Sequence, residues 1–74
     1  MSSHILDLHG TRHHEVDLKV ENFIYLNQEE VPLTIICGNS SKMIKIVKEV
    51  LKRSCSDFRV GDGSEYGQIK VFKL

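Results

Sequence analysis

The sequence predicts an α/β domain of the α+β two-layer sandwich type, with two helices and a four-stranded mixed sheet. The apolar patterns follow the order β-α-β-α-β-β, the 74 residues suffice for one domain but not for two, and 41% of them are hydrophobic. A helix between two strands builds a parallel pair, and the last two strands add an antiparallel end. The single proline and the 27% of charged residues argue against a disordered tail, a collagen-like repeat or a disulfide-rich mini-protein. We therefore expect one domain over residues 1–74.

The first strand and helix are predicted from a change in periodicity. Ile5–His9 alternates as a short strand does, with Leu6 and Leu8 on one face. From Thr11, the expected N-cap, to about Asn27 the pattern is helical. The residues on one side of this helix are Val16, Val20, Phe23, Ile24 and Asn27.

The second strand and helix have stronger patterns. Leu33–Cys37 is almost continuously apolar, which predicts a strand buried on both faces. Gly38–Ser41 turns the chain into a helix for which Ser40 or Ser41 is the expected cap. The apolar arc of that helix contains Met43, Ile44, Ile46, Val47, Val50 and Leu51.

The end of the chain predicts a hairpin. Phe58–Val60 is a short third strand, Gly61–Ser64 is a turn, and Gln68–Leu74 is the closing strand.

The charge is balanced overall but divided along the chain. Ten basic residues match ten acidic ones, yet residues 1–30 carry six acids against two bases and residues 31–74 carry eight bases against four acids. This separation weakly indicates an anionic partner, and a solvated helix face explains it equally well. Cys37 and Cys55 form no CxxC motif, and no secretory segment or apolar run of about 20 residues is present. We expect a cytoplasmic protein with reduced thiols and no membrane partner.

Asp7 and His9 are the first candidate catalytic pair. Because they lie two apart on a strand, both side chains project from one face, where a carboxylate can fix the tautomer of an imidazole. They also lie at the carboxyl end of a strand, where α/β sheets place their ligand sites. The alternative is that Asp7 caps a nearby loop and His9 merely ends the strand.

Two nearby segments are candidate phosphate-binding groups. Arg12 lies at the mouth of the first helix, where a guanidinium and free backbone N–H groups can meet a phosphate, or it is simply exposed. Gly38, Asn39, Ser40 and Ser41 precede the second helix, and small residues there let amides approach an anion. Ordinary capping explains the serines equally well. Since the ends of consecutive parallel strands meet at one edge, this loop is expected beside His9.

Other site classes are not supported. The histidines at 4, 9, 13 and 14 lack an HExxH arrangement or a CxxC partner, so no metal site is predicted. Neither a P-loop, a GxSxG elbow nor a GxGxxG fingerprint is present.

The opening segment resembles a known family. Leu6-Asp7-Leu8-His9-Gly10, followed by Arg12 and by Glu15-Val16 with Val20, Phe23 and Ile24, resembles the start of the small MutS-related (Smr) domain. Thr34–Gly38 stands where that family has a strand ending in His-Gly, and Gly67–Leu74 is similar to its glycine-led final strand. The resemblance spans about residues 5–74, and LDLHG is its specific part.

The resemblance implies a function as well as a fold. Smr domains bind DNA or RNA, several are endonucleases that nick without an obvious sequence requirement, and this chain would be a stand-alone version. The family's second motif is usually HGxGxG, whereas here it is Cys37-Gly38-Asn39-Ser40-Ser41. We therefore expect this chain to share nucleic-acid binding with the family more readily than it shares cleavage.

Three functional hypotheses follow. In a nicking endonuclease, His9 would act as acid or base, Asp7 would orient it, and Arg12 with backbone amides would hold the scissile phosphate, with Mg²⁺ as the candidate cofactor. A non-catalytic nucleic-acid-binding module would use the same site together with the basic side chains of the second helix. A protein-interaction module, within a larger complex, would use an apolar stripe on the first helix. The basic residues are Lys45, Lys48 and Lys52, and the stripe is Leu18 and Tyr25.

Overall fold

The computed structural model describes residues 5–74 and confirms the predicted fold class. The strands are β1 (Ile5–Asp7), β2 (Leu33–Ile36), β3 (Asp57–Val60) and β4 (Gln68–Lys73), and the helices are α1 (His13–Leu26) and α2 (Ser41–Ser54). The order is β-α-β-α-β-β, with one 3₁₀ turn at Gly63–Glu65 before β4.

The four strands form one mixed sheet in the order β1-β2-β4-β3. β1 and β2 are parallel, as expected for strands joined by a crossover helix, and β4 is antiparallel to both β2 and β3. The parallel pair thus brings the carboxyl ends of β1 and β2 to the same edge.

The core lies on one face of the sheet, between the strands and both helices. On β2 and just after it, Leu33, Ile35 and Cys37 are buried, while Thr34 and Ile36 are only half-buried. The expectation that this strand is buried on both faces is therefore wrong. Residues 5–74 contain two α-helices and both pack on the same face, so no helix of this part of the chain covers the other face of the sheet.

Both helices bury the predicted sides. The α2 residues Met43, Ile44, Val47, Val50 and Leu51 are buried, and so are Val16, Val20, Phe23 and Ile24 of α1. Asn27, also on the core side, satisfies its amide by donating from Nδ2 to the carbonyl oxygen of Phe23 at 2.8 Å. On the surface, Arg53 of α2 lies 3.7–3.8 Å from carboxylate oxygens of Glu21 and Asp17.

The element boundaries differ from the sequence prediction at several places: β2 and β4 each end one residue earlier and β3 begins one residue earlier, and three differences have a structural reason. Thr11 is not the N-cap of α1: its N–H donates to the Leu8 carbonyl oxygen at 2.9 Å, and Arg12, still extended at φ −73° and ψ 141°, precedes the helix without a side-chain cap. That turn also ends β1 at Asp7 rather than at His9. Between β3 and β4 the chain needs a 3₁₀ turn, so the connection is longer than the predicted turn at 61–64.

Candidate nucleic-acid interface

The ends of β1 and β2 bring His9 and Gly38 close together. Leu8 N–H donates to the Ile36 carbonyl oxygen at 2.8 Å, which carries the parallel pairing to the end of both strands. A Cβ atom built on Gly38 would lie 3.8 Å from Cδ2 of His9, so a methyl group at this glycine would be in van der Waals contact with the imidazole ring. We refer to residues 9–12 and 38–41 together as the strand-end edge.

A tight turn presents the His9 imidazole to solvent. Gly10 has φ +83°, a conformation that side chains with a Cβ rarely adopt, and it allows Thr11 to fold back onto Leu8. The Asp7 carboxylate accepts a hydrogen bond from the backbone N–H of His9 at 2.9 Å. Of the two interpretations of Asp7, the structure thus supports the one in which it caps the loop. His9 itself is exposed.

Gly67 holds the second half of the edge in place. Its carbonyl oxygen accepts a hydrogen bond from Cys37 N–H, at 2.6 Å. A Cβ on Gly67 would lie 2.7 Å from the Gly38 carbonyl oxygen, closer than real Cβ atoms come, and its φ is +92°. Only glycine fits there, because a side chain would push Gly38 away from its neighbours. The position of Gly67 before the last strand is evident from the sequence, but no local pattern predicts this contact, because it joins residues 29 positions apart.

Both helices begin at this edge and direct free backbone N–H groups toward it. Arg12 is exposed immediately before α1, and Asn39 and Ser41 are exposed at the start of α2. The Ser40 hydroxyl oxygen accepts from Met43 N–H at 3.1 Å, which confirms Ser40 as the cap. Helix N-termini carry partial positive charge, so the edge combines two such ends with one guanidinium.

The predicted lysines of α2 form a row that leads away from the edge. Lys45 lies about 6 Å along the helix axis from Ser41, and Lys52 lies about 16 Å along it. Lys45 and Lys52 are exposed and Lys48 is half-buried. Lys52 Nζ is 3.6 Å from a carboxylate oxygen of Glu49, so part of its charge is already compensated. The row of lysines thus begins near the strand-end edge and runs away from it, and none of the three belongs to the edge itself.

Cys37, which the resemblance to the Smr domain aligns with that family's second histidine, faces the core. Its side chain is 3% exposed, and burial raises its pKa to about 11. A thiol of this kind stays protonated at neutral pH and is a poor nucleophile or base. Cys37 therefore does not replace the histidine chemically.

The side chains at the edge do not fit a preformed magnesium site. Within residues 5–74 no three His, Cys, Asp or Glu side chains converge on a common point. Asp7 is the carboxylate nearest to His9 along the strand, and one of its oxygens is already used in the turn. His13 and His14 are exposed on α1, with His14 Nε2 3.8 Å from a Glu15 oxygen, and His4 lies outside the described residues.

The apolar stripe of α1 is exposed, as predicted. Leu18 is 73% exposed and Tyr25 is 72% exposed, and Leu26 beside them is 68% exposed. Among the described residues nothing packs over this stripe. In the same part of the chain, no helix is long and apolar enough to cross a lipid bilayer.

Comparisons with known proteins find no relative of this chain. A scan against protein-family models, a search of curated proteins and a search of solved structures each find no match to the chain. The resemblance to the Smr domain therefore remains a prediction based on the LDLHG segment.

Proposed function

We propose that this chain is a nucleic-acid-binding domain of the Smr type, which holds the phosphate backbone of DNA or RNA at the strand-end edge. One observation carries the proposal: the His9 ring lies next to Gly38 where both helices begin, with Arg12 exposed beside them. One exposed guanidinium, small residues and unpaired helix amides together form a surface that favours a phosphate over any neutral ligand.

Phosphate contacts at this edge give affinity without sequence selectivity. Arg12 supplies a fork of donors, and the amides before α2 and the Asn39 and Ser41 side chains supply neutral ones. These groups lie in loops or at the first residue of α2 and not along the exposed side of a helix or strand that could enter a groove, so base recognition is expected to be weak. Lys45 and Lys48 extend the positive surface along α2 and attract the backbone from a longer range.

Cleavage is the second candidate activity, because the His9 imidazole is exposed beside the proposed phosphate site. A neutral imidazole there takes a proton from an attacking water, and a protonated one gives a proton to the leaving oxygen. The protein contributes no second base at Cys37, and Asp7 is used in the turn. Binding is therefore the primary proposal.

The test of binding compares wild type with Arg12→Gln on supercoiled plasmid and structured RNA, with Lys19→Gln as the matched control. Lys19 is an exposed cation on α1 with no ion pair within the described part of the chain. The slope of log K against log salt is negative, and one lost phosphate contact reduces its magnitude by about 0.9 on duplex DNA. We expect that decrease for Arg12→Gln alone. Equal slopes for both variants would contradict the proposal.

The test of cleavage uses the same plasmid and His9→Ala, with and without Mg²⁺. Nicking that is present in wild type and absent in His9→Ala would assign the reaction to His9, and binding should survive the substitution. Unchanged nicking by the variant would remove His9 from the mechanism.

The third hypothesis, a protein-interaction module, is tested separately. If wild type binds neither nucleic acid, a mass determination in solution together with Tyr25→Ser tests the α1 stripe as a contact with another protein. A larger complex and a cytoplasmic location stay predictions, and the two free cysteines are compatible with the latter.

A further inference from the structure

The face of the sheet that carries no helix has two cations directly opposite each other. Arg59 of β3 pairs in register with Lys70 of β4, and Thr34 of β2 follows on the other side of Lys70. Like charges at directly opposed positions of an antiparallel pair destabilise a sheet. Within residues 5–74, neither cation has a carboxylate oxygen within 4.0 Å. An unrelieved pair of this kind is complementary to an anion.

A hollow surrounds this cation pair and is small. Its volume is about 190 Å³. That is below the 300–1,000 Å³ typical of sites for drug-sized ligands, so the hollow suits one phosphate or one ring of a polymer. It is lined by Arg59, Gly61, Glu65, Gln68, Lys70 and Phe72.

Apolar side chains on the same face favour unpaired bases over a duplex. Phe72 is 42% exposed, Ile5 is 56% exposed, and Ile36 is half-buried. A base pair hides its faces within the stack of a duplex, whereas a single strand offers them to aromatic and apolar groups. A duplex would leave Phe72 without a partner.

The hollow and the strand-end edge are connected through the start of β4. Gln68 lines the hollow and follows Gly67, whose backbone closely approaches Gly38, the glycine beside the His9 ring. From Gly67 to Lys70 the strand rises about 10 Å. A chain held at His9 and Arg12 can therefore continue over Gly67 onto the open face.

We propose that single-stranded nucleic acid crosses from the strand-end edge onto the open sheet face, where Arg59 and Lys70 bind a phosphate and Phe72 stacks on a base. This inference rests on the proposed nucleic-acid binding and names the form of nucleic acid. Glu65, on the rim of the hollow, opposes the phosphate and moderates its affinity.

The experiment measures the salt dependence of anisotropy for labelled oligouridylate, oligothymidylate and a DNA duplex. Each phosphate contact to a single strand contributes about 0.7 to the slope of log K against log salt. We expect Arg59→Gln and Lys70→Gln each to reduce the magnitude of this negative slope by about that amount on the single strands, and Lys19→Gln to leave it unchanged. Glu65→Gln should tighten binding. The two single strands separate a preference for RNA from one for DNA.

The Phe72→Leu variant tests base stacking independently of charge. It keeps an apolar side chain of similar size and removes the ring face, so single-strand affinity should fall at least about fivefold while duplex affinity stays the same. Thermal melts of each variant establish that it is folded. If single-strand binding is unchanged in Arg59→Gln, Lys70→Gln and Phe72→Leu, the inference is overturned. If Arg12→Gln still weakens binding in that case, the proposed phosphate site at the strand-end edge is still supported. Absence of any binding by wild type would overturn both proposals.

Discussion

Replacing Gly67 by alanine tests the contact that fixes the strand-end edge. The backbone at φ +92° imposes a cost of about 1–3 kcal/mol on a residue with a Cβ. The added methyl would lie 2.7 Å from the Gly38 carbonyl oxygen, and relieving such overpacking costs about 1–3 kcal/mol more. The expected loss is about 2–6 kcal/mol, a large part of the about 4–11 kcal/mol that stabilises a domain of this length.

Gly63→Ala is the matched control for this prediction. Gly63 also has positive φ, +59°, but a Cβ there would meet nothing within 4 Å, so only the backbone cost remains. Urea denaturation gives the difference in the free energy of unfolding between the two variants, and thermal melts should place Gly67→Ala at least about 8 °C below wild type. Equal destabilisation by both substitutions would refute the close approach of Gly67 to Gly38.

Four further predictions follow from single contacts. Ser40→Ala should lower the free energy of unfolding by about 1 kcal/mol through loss of the α2 cap, whereas Ser41→Ala should change it little, as measured by urea denaturation. Lys70→Thr should raise that free energy by about 0.2–1 kcal/mol by removing the opposed cation pair; a loss of stability would contradict this interpretation. Asp7→Asn should keep the turn and any His9-dependent nicking, since an amide oxygen also accepts from His9 N–H, while Asp7→Ala should loosen it. In native protein at neutral pH, Cys37 should resist alkylation by iodoacetamide, and its reaction should accelerate as pH rises toward 11 or on unfolding.

Local patterns were sufficient to predict the elements and their order. The period of 3.6 in Met43–Leu51 and the nearly continuous apolar run of Leu33–Cys37 depend only on neighbouring residues. Ser40 was predictable as one of two caps for the same reason. The prediction that Thr11 is the N-cap of α1 is wrong because, although threonine is a good capping residue, the backbone of Thr11 is used by the turn that follows β1.

The position of Cys37 illustrates how a motif can mislead about chemistry. By sequence it occupies the place of a histidine in the resembling family, which raises the question of a replacement nucleophile. Its side chain packs in the core, where desolvation keeps the thiol protonated. Burial of a single side chain depends on which face of the strand the helices cover, and that is not encoded locally.

The fold class, the order of the strands and helices, and the placement of His9 and the Gly38 loop at one edge follow from local patterns, because parallel strands must end on the same side. The open face of the sheet, the approach of Gly67 to Gly38 and the position of Arg59 opposite Lys70 become visible only in the folded domain. These contacts join residues distant in the chain through strand register and helix packing, and neither periodicity nor composition carries that information.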